Sequence, residues 1–291
     1  MNALDIEIGN KSLTCTVRPH LGGAVLKLIF RGKPVLRPVD AHLIDSSRQA
    51  ANFALIPYSN RIANATLRWL GTSHRLTINN ANEPHSIHGV GWQQPWSVQE
   101  WGEEFLLLSY EHLANECWPF DFIASQALSI SENELHHTLS ITNKSRQAAP
   151  VGLGWHPYFV KREDTSVSFK ANGIWLMGED RLPTKLGSSK GLDQSCTDLT
   201  VDHCFENWSG CARLADKELS VTVRSNLNRL VVYTNPKMDS VAIEPVSHVN
   251  NAINMGSQIG VNPEELGIKV LLPEESFTAQ MTISVEEQQI R

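Results

Sequence analysis

Hydrophobic residues in this chain recur at every second position, in short runs, and almost nowhere at helical spacing. Leu13, Cys15 and Val17 alternate with polar neighbours. Leu135, His137, Leu139 and Ile141 alternate with His136, Thr138, Ser140 and Thr142, and Ala279, Met281, Ile283 and Val285 with Gln280, Thr282, Ser284 and Glu286. Successive side chains of a strand point to opposite faces, so this period marks half-buried antiparallel strands. Similar runs recur near 24–30, 66–70, 96–101, 105–110, 121–130, 166–170, 219–224, 229–234 and 240–244. Turn residues separate them, among them Arg31-Gly-Lys-Pro34, Asn79-Asn80, Ser131-Glu-Asn133 and Asn226-Leu-Asn228. Only 43–50 and 262–266 look helical, the second because Asn262 is followed by Pro263 at the first helical position.

Many strands with few, short helices predict an all-β fold, a large antiparallel sandwich or barrel. A chain of 291 residues, 41% of them hydrophobic, can bury a full core without disulfides or metal. No Pro-, Gly- or Ser-rich linker divides it and no repeat recurs, so residues 1–291 read as one domain. The polar span 180–200 reads as a long loop. The formal charge of -6, with no basic run, argues against nucleic acid as a partner. No stretch reaches the roughly 18 apolar residues of a membrane span, which argues against a membrane. The acidic start, Met1-Asn-Ala-Leu-Asp-Ile-Glu-Ile8, lacks the features of a signal peptide, so a cytoplasmic location is expected. Five cysteines, none in a Cys-x-x-Cys pair, fit free thiols in a reducing compartment.

Four spots interrupt the alternation with concentrated polar chemistry. In Asn52-Phe-Ala-Leu-Ile-Pro-Tyr-Ser-Asn60-Arg61-Ile62 an apolar run ends at an arginine, whose planar five-donor fork suits vicinal hydroxyls or a carboxylate. In His85-Ser-Ile-His88-Gly89-Val-Gly91-Trp92 a histidine precedes a bend. In Gly154-Trp155-His156-Pro157-Tyr158-Phe159 an imidazole sits among aromatics, where it suits a general acid. In Val241-Ala-Ile-Glu244-Pro245-Val-Ser-His248 a carboxylate ends an apolar strand, where burial would raise its pKa into the range of a usable base. Taken singly, each also reads as a surface turn, a satisfied core histidine or an edge glutamate.

Other patterns carry less. Gly187-Ser-Ser-Lys-Gly191 matches a nucleophile elbow but lies in a polar loop without the strand–helix context. Gly89-x-Gly91 and Gly152-x-Gly154 lack the third glycine of a dinucleotide site. His85-x-x-His88 and Asp202-His203 lack a recognised metal-ligand motif.

In order along residues 52–254, the chain resembles the aldose 1-epimerase (galactose mutarotase) family in its shorter bacterial branch. The landmarks are Pro57-Tyr-Ser-Asn60-Arg61-Ile62, His88-Gly89, Gly154-Trp155-His156-Pro157-Tyr158-Phe159, Asp202-His-Cys-Phe205-Glu-Asn-Trp208-Ser-Gly210 and Glu244-Pro245-Val-Ser-His248. The resemblance implies a galactose mutarotase-like supersandwich that interconverts the α and β anomers of a free aldose, with no cofactor and no metal. It implies His156 as general acid, Glu244 as general base, and Arg61, His88 and Asp202 as sugar contacts, with Asn60 beside them. Trp92, Trp155 and Tyr158 are candidates to pack on the C–H faces of the sugar. Where the family often continues Pro-Asp-Ala-x-Asn after the Glu-Pro motif, this chain has Val249-Asn250-Asn251-Ala252-Ile253-Asn254. A sugar phosphate is a rival substrate if arginines such as Arg68, Arg162, Arg181 or Arg213 reach the pocket mouth. A non-catalytic sugar-binding protein on the same scaffold is the rival from another class.

Overall fold

Residues 5–288 are described by a computed structural model. Two large sheets dominate it, and every ladder between their strands is antiparallel. One has nine strands in the order Ser97–Trp101, Phe105–His112, Phe122–Ser131, Glu134–Asn143, Ser276–Glu287, Leu219–Ser225, Cys211–Ala215, Ser166–Phe169, Leu192–Ser195. The other has eight and runs Pro183–Ser188, Gly173–Met177, Val201–Glu206, Arg229–Thr234, Ser240–Val246, Gly154–Trp155, Ala54–Leu55, with Tyr158–Val160 pairing onto Ser240–Val246. A four-stranded sheet (Ile6–Gly9, Leu13–Arg18, Ala24–Phe30, Lys33–Pro34) lies N-terminal to both. The all-β antiparallel expectation holds.

The alternation read from the sequence is the alternation of burial. Along Glu134–Asn143 every second residue is buried, including Leu135, His137, Leu139 and Ile141. The inner faces of the two large sheets meet where Phe169 packs edge-on against Phe205, centroids 4.8 Å apart, and where His137 packs on Trp155 at 5.5 Å. The buried hydrophobic cluster is continuous from Ile8 to Val285.

Three expectations fail. The span 180–200 is not a loop throughout, because Pro183–Ser188 ends the eight-stranded sheet and Leu192–Ser195 ends the nine-stranded one. Edge strands exposed on both faces bury too little to impose an apolar alternation. Residues 262–266 form turns, closed by Gly267 at φ +95°. Residues 43–50 contain only the 3-10 turn Ser47–Gln49. The one α-helix among the described residues is Ala252–Ile259, with Asn251 before it and Gly260 after it in the left-handed region.

Some polar residues are locked inside. His137 shares its proton with Gln126, Nε2 to Oε1 at 3.0 Å, and leaves Nδ1 buried without a partner among the described residues. Burial pushes its pKa from 6.5 to about 3. The unfolded chain therefore binds a proton that the folded chain refuses. Stability present above pH 6.5 is lost as pH falls through the window down to about 3. His248 behaves likewise, pushed down to about 4. We expect His137→Leu to flatten the fall of urea stability below pH 6.5, by up to about 1.4 kcal/mol per pH unit. Urea midpoints at several pH values check this, and an unchanged slope would show that His137 titrates normally in the fold.

Candidate active site

The strand Ser240–Val246 is buried at all seven positions. Most strands of this fold have one face in the core. This one has a second buried face because loops cover it, and Glu244 lies on that face. Its register sets what surrounds the carboxylate. Val231 stands directly opposite Glu244, Tyr233 opposite Ala242, and Tyr158 opposite Ala242 on the other side. Asp202 stands opposite Tyr233 one strand further on. Paired residues share a face, so Asp202, Tyr233, Tyr158 and Glu244 converge on one cavity. It is completed by Arg48, Asn60, Arg61, Glu83, Ile87, His88, His156, Val231 and Arg181, and encloses about 110 Å³.

His156 joins two short strands that flank this site, and Pro157 turns the chain between them. Its ring is clamped in a stack. Phe53 lies on one side at 4.9 Å between centroids and Tyr158 on the other at 4.4 Å. The Arg37 guanidinium lies 3.6 Å beyond the Tyr158 ring, anchored by the Ala50 and Arg48 carbonyls. The clamp aims Nε2 at Glu244 Oε1, 3.2 Å away, with the Tyr158 hydroxyl 3.4 Å from the same nitrogen. Nδ1 is buried and unpartnered among the described residues. Nε2 is therefore the ring nitrogen placed to exchange a proton with the site.

Burial pushes His156 down to about 3, helped by the Arg37 charge, and pushes Glu244 well above the usual carboxylate range, helped by Asp202 and opposed by Arg61. Both effects have one consequence. Burial disfavours the charged form of each, so the two groups titrate as one coupled pair rather than as independent residues.

The other side of the cavity is built by loops. Asn60 and His88 both sit at positive φ, +54° and +62°. They are tied twice: the Asn60 N–H donates to His88 Nδ1 at 3.0 Å, and the His88 N–H to the Asn60 carbonyl at 2.8 Å. The first bond fixes the His88 proton on Nε2, making that ring a neutral donor. Burial keeps it neutral by holding its pKa well below 6.5. The next residue must be glycine: a Cβ on Gly89 would lie 2.2 Å from the Ile56 carbonyl. Arg61 forms a fork with Glu83, at 2.6 and 2.7 Å, and donates to Asn60 Oδ1 at 3.0 Å. Three of its five donors are thereby used and two remain.

Seven of the eight candidate residues thus line one cavity: His156, Glu244, Asn60, Arg61, His88, Asp202 and Tyr158 do so, while Trp155 does not. Trp155 precedes His156 and so points the opposite way, fully buried against His137. Trp92 is also buried, donating to the Gly89 carbonyl and packing near Phe53. Neither indole reaches a sugar face, which removes two of the three stacking candidates. His85 serves the scaffold instead, accepting from the Asn64 N–H and donating to the Asp180 carbonyl. Of the arginines considered for a phosphate, only Arg181 lines the cavity. Arg162 pairs with Asp216, Arg213 bonds Ser220, and Arg68 borders a groove beside the helix. Sequence reasoning missed Arg48, Glu83 and Tyr233. Tyr233 follows from strand register with Asp202, whereas Arg48 and Glu83 carry no local signal.

The aldose 1-epimerase family profile matches residues 5–284. The chain belongs to the aldose 1-epimerase family. It is 27% identical to the Escherichia coli K12 protein YphB, over 91% of this chain and 93% of that one. A galactose mutarotase-like protein from Clostridium acetobutylicum superposes with a TM-score of 0.87 at 19% identity, covering 98% of this chain and 95% of that one. Galactose 1-epimerase from Lactobacillus acidophilus NCFM does so with 0.79 at 16%, again covering 98% and 95%. These two likenesses establish the supersandwich fold of this family member.

The Arg61–Glu83 pair is buried, with side chains 7% and 14% exposed. Removing one partner of such a pair strands the other charge. Glu83→Gln is expected to lower stability by about 3 kcal/mol, read as a shifted urea midpoint. A loss below about 1 kcal/mol, the value of an exposed pair, would mean that water reaches Arg61.

Proposed function

We propose that the protein is an aldose 1-epimerase that opens and recloses a cyclic aldose using only side-chain acid–base chemistry. One observation carries the reading: an imidazole and a carboxyl group lie 3.2 Å apart at the buried end of a polar cavity, close enough to act on one substrate carbon together. Ring opening at C1 needs one group to take the proton from the C1 hydroxyl and one to give a proton to the ring oxygen, O5. The two oxygens are bonded to the same carbon, so groups this close together can address both.

In the forward step the pair's proton starts on His156 as imidazolium: Glu244 accepts the C1 hydroxyl proton and His156 Nε2 donates to O5, leaving a neutral imidazole protonated at Nδ1. The C1–O5 bond breaks with its electron pair going to O5, and the former hydroxyl oxygen becomes the aldehyde. The pair ends with the same proton count, its proton now on Glu244. Rotation about C1–C2 presents the other carbonyl face. Closure then runs with roles exchanged, Glu244 giving its proton to the carbonyl oxygen and His156 taking one from the O5 hydroxyl as it attacks C1. Arg61, through its two free donors, His88 through its Nε2–H, and Asp202 as acceptor are suited to holding the sugar's remaining hydroxyls. Tyr158, the one aromatic candidate on the cavity, is occupied by the His156 stack and offers its hydroxyl rather than its face.

The test is α/β exchange of glucose, galactose, fucose, xylose and arabinose followed by NMR with and without protein. Glu244→Gln and His156→Ala should each lower kcat by about 10²–10⁴-fold, and the double variant by little more than either, because the groups act as one proton-transfer unit. Near wild-type exchange in either folded variant would refute the assignment. Because burial pushes His156 down to about 3, the pH profile of kcat should lack the step near 6.5 of an ordinary imidazole. A single step near pH 6.5 would show instead that His156 titrates unperturbed.

A further inference from the structure

The cavity around His156 and Glu244 adjoins a second one. This outer cavity encloses about 410 Å³ against about 110 Å³ for the inner, and Arg48, Glu83 and Arg181 line both. Its remaining walls are Asn80, Asn82, Pro84, His85, Glu179 and Asp180. The Arg48 guanidinium has no hydrogen-bond or ion-pair partner among the described residues. Arg181 touches only Glu83, at 3.4 Å, an oxygen already taken by Arg61.

The shared rim is a built feature rather than a loose loop. Arg181 lies at the tip of the hairpin joining Gly173–Met177 to Pro183–Ser188 and holds φ +60°, an unfavourable setting for a long side chain. Two side chains from elsewhere pin that tip. His85 donates to the Asp180 carbonyl at 3.1 Å and Asn250 to the Arg181 carbonyl at 3.3 Å. Asn250 belongs to the stretch that departs from the family's common Pro-Asp-Ala-x-Asn continuation, and it bears directly on this rim.

We propose that the outer cavity is a second sugar subsite, which takes the non-reducing unit of a reducing disaccharide while the reducing unit sits on His156 and Glu244. The inference rests on the epimerase reading for the placement of the reducing unit. Two arguments favour a neutral sugar here over an anionic group. The first is charge. Once Arg61 and Glu83 cancel, two guanidinium groups face two carboxylates, Glu179 and Asp180, with two amides between them. A balanced set of donors and acceptors suits hydroxyls, which are both, and offers a phosphate as much repulsion as attraction. The second is ring geometry. With C1 and O5 at the buried end, the atom diagonally opposite in a pyranose is C4, which therefore points to the rim. A 4-linked unit leaves through that rim into the outer cavity. The C6 substituent is attached beside O5 and would stay near His156.

The experiment compares glucose, cellobiose and glucose 6-phosphate with wild-type protein and with Asn82→Ala/Glu179→Ala, by NMR anomer exchange and by direct binding titration. Cellobiose should bind about tenfold more tightly than glucose and show a KM lower by about that factor. The double variant should erase the difference and leave the glucose constants unchanged. Equal affinities for glucose and cellobiose, with glucose exchange still accelerated, would overturn the subsite and leave the epimerase reading standing. A gain for glucose 6-phosphate instead of cellobiose would overturn it in favour of an anion site on Arg48 and Arg181. Tighter cellobiose binding that the double variant abolishes, without accelerated exchange of any sugar, would support the subsite and refute the epimerase reading.

Discussion

The arrangement turns on a carboxyl group placed where water is excluded. Glu244 lies in a strand buried on both faces, and the desolvation of its charge is the dominant influence on its protonation. Ionising such a group needs a partner, and removing the partner would strand it. His156 is that partner, yet it is just as buried, so neither group carries a stable charge by itself. The result is a pair in which burial disfavours the charged form of both members. Arg61, the nearest cation acting on Glu244, is held by Glu83, so its fork is directed without leaving an unbalanced charge against the pair.

Side chains on one face of a sheet cannot enclose a sugar-sized space unaided, and here loops supply the opposite wall. Those loops lack ladders and are held by side-chain bonds to backbone. His248 Nε2 accepts from the Ser59 N–H at 3.0 Å while its Nδ1 donates to the Val249 carbonyl at 2.8 Å. Asn251 Oδ1 accepts from Ala63, and Asn254 both accepts from the Arg68 N–H and donates to the Thr66 carbonyl. The segment after Glu244 thereby braces the segment after Asn60. The amide-rich stretch 250–254 has a physical reason, since Asn254 offers a donor and an acceptor, and Asn251 an acceptor, to backbone of 63–68 that would otherwise be left unpaired. It also ties the strand of Glu244 to the loop of Arg61, so their spacing is fixed by one network.

How far the sequence reveals this depends on what each residue buries. Strands with one core face were legible because burial writes a period of two, as along Glu134–Asn143. Pro183–Ser188 and Leu192–Ser195 were not, because sheet edges impose no such period. The helix Ala252–Ile259 was missed because the residues that anchor its start, Asn251 and Asn254, bond to a segment almost two hundred positions away. Within the site, His156, Glu244, Arg61 and His88 were legible as breaks in the alternation and through the family resemblance. Trp155 was misjudged because the strand alternation applies beside the histidine too: if His156 faces the cavity, its neighbour faces the core. Glu83 and Arg48 left no local trace, since their importance lies in partners brought close only by folding.

The clamp around His156 is made of rings and a guanidinium rather than of hydrogen-bond acceptors. An acceptor on Nδ1 would favour imidazolium and fix the acid role on the histidine in both directions. The proposed ring opening and closure need the opposite, an imidazole that gives up its proton readily. Phe53 and Tyr158 fix the ring's plane without contributing an acceptor to Nδ1, and Arg37 behind Tyr158 disfavours a second positive charge. The stack thus orients the imidazole while leaving its basicity low. Both effects are supplied by the same three side chains, Phe53, Tyr158 and Arg37.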